Sequence, residues 1–288
     1  MNLRLKFLSG LTLFTLLFAA CSKDDDTNQV KSLALEAKDS LNISYGDNSK
    51  QTLDLYLPAN RDENTKVVVL VHGGFWFQGD KVDLGPYAKF LQSQGFAVAN
   101  INYRLTNTPE NNIHPAQVND IAKAIDSVSA NAEKLHVSKS KFAIIGASSR
   151  AHLALLYTYA FEKKNRVKTV IAIAGPTNLT DPTDIGDFQK LIAGWFLGTT
   201  LEQNPDVYLK ASPIHYVCEK TKPTLLIHGT NDLVVPFKQA GDLKAKLDQY
   251  NVPNNLLPVS SGHDDVINPG NQALVLGNIV AWLNIYLN

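Results

Sequence analysis

The stretch FAIIGASSRAHLALL, residues 142–156, decides the fold class. Its first six residues, FAIIGA, form a continuous apolar run, which is typical of a strand buried on both faces of a sheet. The run HLALLYTYAF (152–161), which begins at its end, predicts a buried helix, and the small residues between the two runs predict a tight turn. Because strands and helices alternate in this way in α/β proteins, the stretch predicts one unit of such a fold.

The same alternation continues on both sides of this stretch. Strands are predicted over residues 41–45, 52–57, 66–71, 96–103, 167–175, 224–229 and 255–260, and helices over 86–94, 116–130, 236–249 and 272–287. Helical crossovers between strands predict a mostly parallel central sheet with helices on both faces. The less regular segment 177–216 predicts a small cap insertion, and residues 36–288 are predicted to form one catalytic domain.

The amino-terminal residues have a different character. Arg4 and Lys6 precede an apolar run over residues 7–20, and Cys21 follows it. The run is too short to span a bilayer, which needs roughly 20 residues, but it suits a signal peptide. We therefore expect residues 1–20 to be a lipoprotein signal peptide, Cys21 to be lipidated, and residues 21–35 to be a flexible tether. The prediction is an exported, membrane-anchored lipoprotein on the outer-membrane, periplasmic or cell-surface side; a secretory signal with a chance cysteine is the alternative.

Composition limits the classes of partner. The chain has 27 Lys and Arg residues and 27 Asp and Glu residues, so no basic excess attracts nucleic acid, and no nucleic-acid partner is expected. We expect no metal and no organic cofactor, and the oligomeric state is left open. If Cys21 carries lipid, Cys218 has no partner within the chain, and we expect it to be a packed thiol.

Four motifs follow predicted strands, and ligands gather at the carboxyl ends of the strands in such sheets. The first is HGGFW, residues 72–76, whose glycines allow a sharp turn. The backbone amides of Gly73, Gly74 and Phe75 are the candidates for holding an oxyanion. In the second motif, GASSR (146–150), Ser148 is the candidate nucleophile, and the amide of Ser149 is a further oxyanion donor.

Chain order assigns the acid and the base. The third motif, HGTNDLVVP (228–236), supplies Asp232, and the fourth, SGHDD (261–265), supplies His263. Hydrolases of this arrangement run serine, acid, histidine along the chain, so the base must follow Asp232. His263 is the only histidine of the sequence that does. We therefore predict a triad of Ser148, Asp232 and His263, with Ser149 as the alternative nucleophile after a slip of one residue.

These motifs together resemble an α/β-hydrolase of the esterase and lipase group that carries an HGG oxyanion motif. The chain is especially similar to the feruloyl-esterase-like (BD-FAE-type) lipoproteins of Bacteroides-like bacteria. The matching segments are HGGFWFQGDK (72–81), NYRL (102–105), GASSRAHLAL (146–155), GTNDLVVP (229–236) and SGH (261–263). The resemblance implies an α/β-hydrolase fold and structural roles for Arg104 and Asp120.

Arg150 departs from the family pattern, which has glycine two residues after the nucleophile. The arginine adds a Cβ and a long side chain where the helix begins close to a neighbouring strand. We therefore expect crowding there, at a cost of about 1–3 kcal/mol. On this interpretation Arg150→Gly leaves the fold intact and keeps or raises the rate; a large loss of rate would mean that Arg150 binds an anionic part of the substrate.

The predicted function is that of a serine carboxylesterase acting through an acyl-enzyme on short acyl or aromatic esters, among them acetyl and feruloyl esters on glycans. One alternative is a catalytically impaired relative that binds a glycan or an ester. Another is an amide hydrolase resembling arylformamidases. Three aromatic residues of the cap segment, Phe188, Trp195 and Phe196, are expected either to wall an acyl or aromatic pocket or to pack the cap.

Overall fold

Eight strands form one sheet in the computed structural model, which describes residues 35–106, 112–181 and 186–287. The predicted signal peptide, Cys21 and all of the tether except Leu35 lie outside these residues. The strands are β1 (Lys38–Ser44), β2 (Thr52–Leu57), β3 (Val67–Val71), β4 (Ala97–Ile101), β5 (Phe142–Ala147), β6 (Val167–Ile173), β7 (Thr224–Gly229) and β8 (Asn254–Val259).

The spatial order of the strands is β1-β2-β4-β3-β5-β6-β7-β8. β2 pairs antiparallel with β1 and with β4, and all the other neighbours are parallel. The mostly parallel sheet that the sequence predicted is therefore confirmed, and its antiparallel part lies at one edge. The carboxyl ends of β3, β5, β7 and β8 lie on the same side of the sheet, across the strand direction. This brings together the four motifs that follow these strands.

Helices cover both faces of the sheet. They are α1 (Gly85–Ser93), α2 (Ala116–Ala130), α3 (Ala132–Leu135), α4 (Ser149–Leu156), α5 (Asp187–Leu197), α6 (Pro205–Lys210), α7 (Phe237–Gln249) and α8 (Gln272–Tyr286). Short 3₁₀ turns lie at Lys81–Leu84 and Pro213–Tyr216. Alternate residues of β3 enter different apolar clusters: Val69 packs on the side of α2, α4 and α7, and Leu70 packs on the side of α1 and α8.

The helix after the candidate nucleophile is shorter than predicted. α4 ends at Leu156, and the chain continues in a wider π turn, Tyr157–Phe161, in which the amide of Glu162 donates to the carbonyl oxygen of Tyr157. The wider turn carries Tyr159 to Thr224, where the two hydroxyl oxygens lie 2.6 Å apart. The residues that follow α4 therefore fasten it to β7.

The predicted cap insertion contains α5, α6 and the second 3₁₀ turn. Gln239 of α7 holds the start of this segment, because its side-chain oxygen accepts hydrogen bonds from the amides of Thr177 and Asn178 at 2.9 and 2.8 Å. α5 lies beside the edge that carries the motifs, and its Ile192 and Ala193 are buried there.

Candidate active site

Ser148, Asp232 and His263 come together at the carboxyl ends of β5, β7 and β8. The Nε2 atom of His263 lies 2.8 Å from the hydroxyl oxygen of Ser148, and its Nδ1 atom lies 2.7 Å from Oδ2 of Asp232. Both distances are those of ordinary or charge-assisted hydrogen bonds. Because an ionised carboxylate only accepts, Nδ1 carries a proton, and in the neutral ring Nε2 is left to accept from the serine.

The backbone of Ser148 is in the left-handed region, with φ of 58°. This conformation is strained for a residue with a side chain and costs on the order of 1–3 kcal/mol. Gly146 makes the turn possible, since a Cβ there would lie 2.4 Å from the carbonyl oxygen of Arg150. The turn thus holds the hydroxyl of Ser148 toward His263 at the start of α4.

Asp232 is buried and receives four hydrogen bonds. Its Oδ1 accepts from the amides of Val234 and Val235, at 2.9 and 2.8 Å. Its Oδ2 accepts from His263 and also lies 3.2 Å from Nε2 of His228. Burial on its own would raise the pKa of Asp232, but the hydrogen bonds from His228, His263 and Val235 outweigh it and hold the pKa well below its usual range. Asp232 is therefore an anion that orients His263.

His228 is a part of this arrangement that the sequence analysis missed. It is the last residue but one of β7, it is buried, and its Nε2 donates to the carbonyl oxygen of Val235 at 2.8 Å. The signal was present in the sequence, because His228 stands four residues before Asp232 in the motif HGTND.

The predicted oxyanion donors lie beside Ser148. We call residues 72–79 the oxyanion loop. Gly74 has φ of 124°, which only glycine adopts without strain, and Phe75 has φ of 56°. Within the described residues, the amides of Gly74 and Phe75 have no hydrogen-bond partner. Ser149 is the first residue of α4, so its amide has no acceptor inside the helix. These three amides are available to a ligand at Ser148, and the amide of Gly73, the fourth predicted donor, likewise has no hydrogen-bond partner among the described residues.

Two further contacts define this loop. The amide of Trp76 donates to the hydroxyl oxygen of Ser149 at 3.3 Å, so the second serine of the turn fastens the loop while the first faces His263. Gly73 contributes space, because a Cβ there would lie 2.9 Å from Nη1 of Arg150.

The crowding expected at Arg150 does not occur. The side chain is fully buried and reaches the oxyanion loop. Its Nε donates to the hydroxyl oxygen of Tyr103 at 2.7 Å, and its Nη2 donates to the carbonyl oxygen of Gln78 at 3.0 Å. The close approach of helix and strands depends on Gly146 and Gly175, so a side chain at position 150 is accommodated.

Two cavities flank Ser148. The larger, about 430 Å³, has mostly apolar walls that include Leu70, Ile145 and Ile279. The smaller, about 30 Å³, lies under the cap between Leu179, Ile192 and Val235. Phe75 and Ser148 line both. An ester bound at Ser148 therefore has a large and a small space for its two groups.

The three cap aromatics do not line either cavity. Phe196 is fully buried and stacks on Trp76, with ring centroids 4.7 Å apart. Phe188 contacts Phe75 edge-on, and Trp195 contacts Phe77 in the same way. Phe196 therefore packs the cap, the second of the two expectations, whereas Phe188 and Trp195 are 53% and 37% exposed and meet neither expectation fully.

Other sequence-based expectations have mixed outcomes. Arg104 and Asp120 form an ion pair with a nitrogen–oxygen distance of 2.7 Å, and Asp120 is buried, as a structural role requires. Cys218 is exposed, so the prediction of a packed thiol is wrong; it follows the 3₁₀ turn in an exposed segment.

In the part of the chain that the structure describes, no His, Cys, Asp or Glu side chains cluster as metal ligands would, and no helix could cross a bilayer.

Comparison with known proteins places this geometry in a family. Esterase LipC of Mycobacterium tuberculosis is 29% identical over 223 residues, which are 71% of this chain and 54% of that protein. A solved structure of a bifunctional GH43-CE protein of Bacteroides eggerthii has a TM-score of 0.74 and 27% identity, over 87% of this chain and 38% of that one. A truncated carbohydrate esterase from gut microbiota has a TM-score of 0.73 and 22% identity, over 86% of this chain and 97% of that one.

The chain spans about half the length of the curated relatives that it matches. The fold is that of the solved esterases. The BD-FAE family model matches residues 53–247, which is more than half of the chain and includes Ser148 and Asp232. The chain therefore belongs to the BD-FAE family of α/β-hydrolases.

Proposed function

We propose that the protein is a serine carboxylesterase with Ser148 as nucleophile, His263 as base and Asp232 as the acid that orients the base. The observation that carries the proposal is the continuous hydrogen-bond chain from Ser148 through His263 to Asp232, with distances of 2.8 and 2.7 Å. The names of the relatives, among them esterase LipC, support the same reaction class.

The reaction proceeds in two halves. The hydroxyl oxygen of Ser148 bonds to the acyl carbon, and its proton passes to Nε2 of His263. The π electron pair of the carbonyl moves onto the carbonyl oxygen. The amides of Gly74, Phe75 and Ser149 donate to that oxygen. When the pair returns, the alcohol leaves with the proton from His263, and water then repeats the sequence on the acyl-enzyme.

The direction of Arg150 argues against the impaired, purely binding alternative. Its guanidinium contacts Tyr103 and Gln78, and it does not contact Ser148 or His263. The departure from the family glycine therefore leaves the hydroxyl of Ser148 in contact with its base.

The two cavities support short or aromatic ester substrates. The small cavity of about 30 Å³ has room for roughly two water-sized spheres, which suits a methyl group. The large apolar cavity accepts an aromatic ring or a longer chain. Acetyl esters of bulky alcohols and methyl esters of aromatic acids both fit. Among natural substrates we favour acetyl esters on glycans, with the acetyl group in the small cavity; a feruloyl ester on a glycan places the aromatic acid in the large cavity and requires the sugar to extend beyond the small one. Carbohydrate esterases are among the structural relatives.

The cellular location belongs to the proposal as well. We propose that residues 1–20 are removed as a signal peptide, that Cys21 carries lipid, and that residues 21–35 tether the catalytic domain, 36–288, to a membrane. A Cys21→Ser form should then leave the membrane fraction when cells are fractionated. A form that stayed with the membranes would contradict the anchor.

The proposed chemistry is tested with a fluorophosphonate probe and a substrate panel. We expect wild-type protein to be labelled at Ser148 and Ser148→Ala to be unlabelled and to lose activity by about 10⁴-fold or more. The panel compares acetyl, butyryl and feruloyl esters with N-formylkynurenine, and release of acetate or ferulate from decorated xylan tests the glycan part. Folded protein that is not labelled would favour the binding alternative, and a preference for the formyl amide would favour the amide hydrolase.

A further inference from the structure

Arg150 is a buried cation without a buried anion beside it. It is fully buried, and none of the ion pairs among the described residues includes it. The carboxylate that attracts it most is that of Asp83, which is exposed. A guanidinium stays protonated in proteins, and a charge out of water is costly unless it is compensated. The position therefore carries a charge that the fold does not neutralise.

The contacts of Arg150 all lie in or beneath the oxyanion loop. Besides its bonds to Tyr103 and Gln78, its Nη2 lies 3.4 Å from Nδ1 of His72. The rings of His72 and Tyr103 stack with centroids 4.7 Å apart, and the hydroxyl of Tyr103 donates to the carbonyl oxygen of His72 at 3.3 Å. Arg150 thus ties the first residue of the loop to its seventh, Gln78, through one rigid planar group.

The neighbours of Arg150 are neutral. Burial and the adjacent Arg150 charge lower the pKa of His72 to about 3, and burial raises the pKa of Tyr103 to about 12. Near neutral pH neither side chain carries a negative charge that would offset the positive charge of the guanidinium. Nη1 of Arg150 has no hydrogen-bond partner in the described structure and packs against Gly73, one residue before the donor Gly74.

We propose that Arg150 is a positioning residue for the proposed esterase reaction: it fixes the oxyanion loop so that the amides of Gly74 and Phe75 face the ester carbonyl, and its unpaired charge stabilises the negative oxygen formed there. The proposal rests on the proposed function, since it needs Ser148 to attack an ester. Arg150 is among the residues that line the large cavity, but its Nε and Nη2 donate to Tyr103 and Gln78, so we assign it to positioning and not to contact with the reacting atoms. Its charge acts through the protein interior, where electrostatic interactions are stronger than in water.

The test compares Arg150→Met and Arg150→Lys with wild type. Met keeps the length and the apolar stem of the side chain, and Lys keeps the charge but loses the planar fork. We expect Arg150→Met to lower kcat by about 100-fold with little change in KM, as loss of an oxyanion donor does. Arg150→Lys should recover part of that loss. Affinity for a boronic acid, whose tetrahedral serine adduct carries a negative charge, should fall by the same factor as kcat.

The matched control is Arg166→Met. Arg166 is also largely buried, but it pairs with Asp126 and lies before β6, at the opposite edge of the sheet. Its loss should change stability and leave kcat unchanged. Tyr103→Phe provides a milder test if Arg150→Met does not fold, because it removes the partner of Nε and keeps the charge. It should lower kcat and boronate affinity together, at unchanged KM.

The outcomes separate the two proposals. Wild-type protein that neither hydrolyses esters nor reacts with a fluorophosphonate would overturn the esterase and this role of Arg150 together. An active wild type with folded Arg150→Met that keeps kcat and boronate affinity would overturn only the role of Arg150. If Arg150→Met does not fold, an unchanged kcat and boronate affinity in Tyr103→Phe would overturn it as well. So would a loss confined to KM, which would indicate a contact with bound substrate.

Discussion

The hydroxyl oxygen of Ser149 accepts a hydrogen bond from the amide of Trp76, at 3.3 Å. This bond joins the turn that carries the nucleophile to the loop that carries the oxyanion donors. Ser149→Ala should lower kcat by about fivefold, since a neutral hydrogen bond contributes about 1 kcal/mol. Ser140→Ala, at an exposed serine, is the control for steady-state kinetics. A loss as complete as that of Ser148→Ala would mean that Ser149 is the nucleophile.

His228 and Asp232 supply a second prediction. Nε2 of His228 lies 3.2 Å from the carboxylate oxygen that also accepts from His263. His228→Gln should weaken the hydrogen bond to the carboxylate of Asp232. A hydrogen bond to a charged group contributes about 1.5–3 kcal/mol, so kcat should fall at least about tenfold. Replacing the exposed His215 by Gln should leave kcat unchanged. A fully active His228→Gln enzyme would show that His263 and the two amides hold Asp232 without it.

Gly73 and Arg150 should be energetically coupled. A Cβ at position 73 would lie 2.9 Å from Nη1 of Arg150, which is buried and cannot move into solvent. Gly73→Ala should therefore lower kcat/KM and the free energy of unfolding much more in wild type than in an Arg150→Ala background. In a double-mutant cycle, the coupling free energy between the two positions should be about 0.5–3 kcal/mol. Additive effects would show that Gly73 is required for another reason.

The small cavity predicts selectivity for one group of the ester. Ile192 is fully buried and walls this cavity, and Ile279 walls the large one. Ile192→Ala should raise the rate for a butyryl ester relative to an acetyl ester, and the same rise should not follow Ile279→Ala. Each change should cost about 2–5 kcal/mol of stability, so the ratio of kcat/KM values is compared at a temperature where both variants stay folded. An unchanged ratio in Ile192→Ala would show that the acyl group does not occupy the small cavity.

Buried histidines predict a loss of stability in mild acid. Burial lowers the pKa of His72 and His152 to about 3 and that of His114 to about 4. In the unfolded chain these histidines bind protons as the pH falls through about 6.5, whereas in the folded chain they stay neutral until the pH is near their lowered pKa values. The free energy of unfolding is therefore largest above pH 6.5 and falls as the pH drops toward 4. Near pH 5 these three side chains should give an uptake of close to three protons on unfolding, or about 4 kcal/mol per pH unit.

Urea unfolding between pH 7 and pH 4.5 measures this slope. His152→Gln removes one of the three groups, so its slope should be smaller by about 1.4 kcal/mol per pH unit. A wild-type slope below that of a single proton would contradict the prediction.

The sheet was predictable because its strands are continuous apolar runs separated by helical spacing. Asp232 and His263 were predictable as neighbours of Ser148 because strand ends of a parallel sheet meet at one edge, and chain order left one histidine. Their catalytic roles stay proposals. The positions of residues along the chain suffice for both predictions, and a sequence contains those positions in full.

The directions of side chains could not be predicted. Arg150 was expected to crowd a neighbouring strand, but its side chain reaches Gln78, which is 72 residues earlier in the chain. His228 was missed because a histidine at a strand end has no pattern that separates packing from hydrogen bonding to a carboxylate. The cap aromatics were ambiguous for the same reason, since Phe196 turned inward to Trp76 and left the cavity wall to Ile192 and Ala193.

The fit of Arg150 between two glycines restricts the order in which mutations can accumulate. A Cβ at Gly79 would lie 2.8 Å from Nη2 of Arg150, as one at Gly73 would lie 2.9 Å from Nη1. A side chain at position 73 and the arginine at position 150 therefore exclude each other, so a chain can acquire the arginine only while position 73 is glycine. Once the arginine is in place, a single reversion to glycine leaves an unfilled space and a loop without its ties. Gly79 is fixed independently, by its φ of 105° and by the carbonyl oxygen of Gly73 that a Cβ there would overlap, so position 73 is the one that the arginine itself holds as glycine.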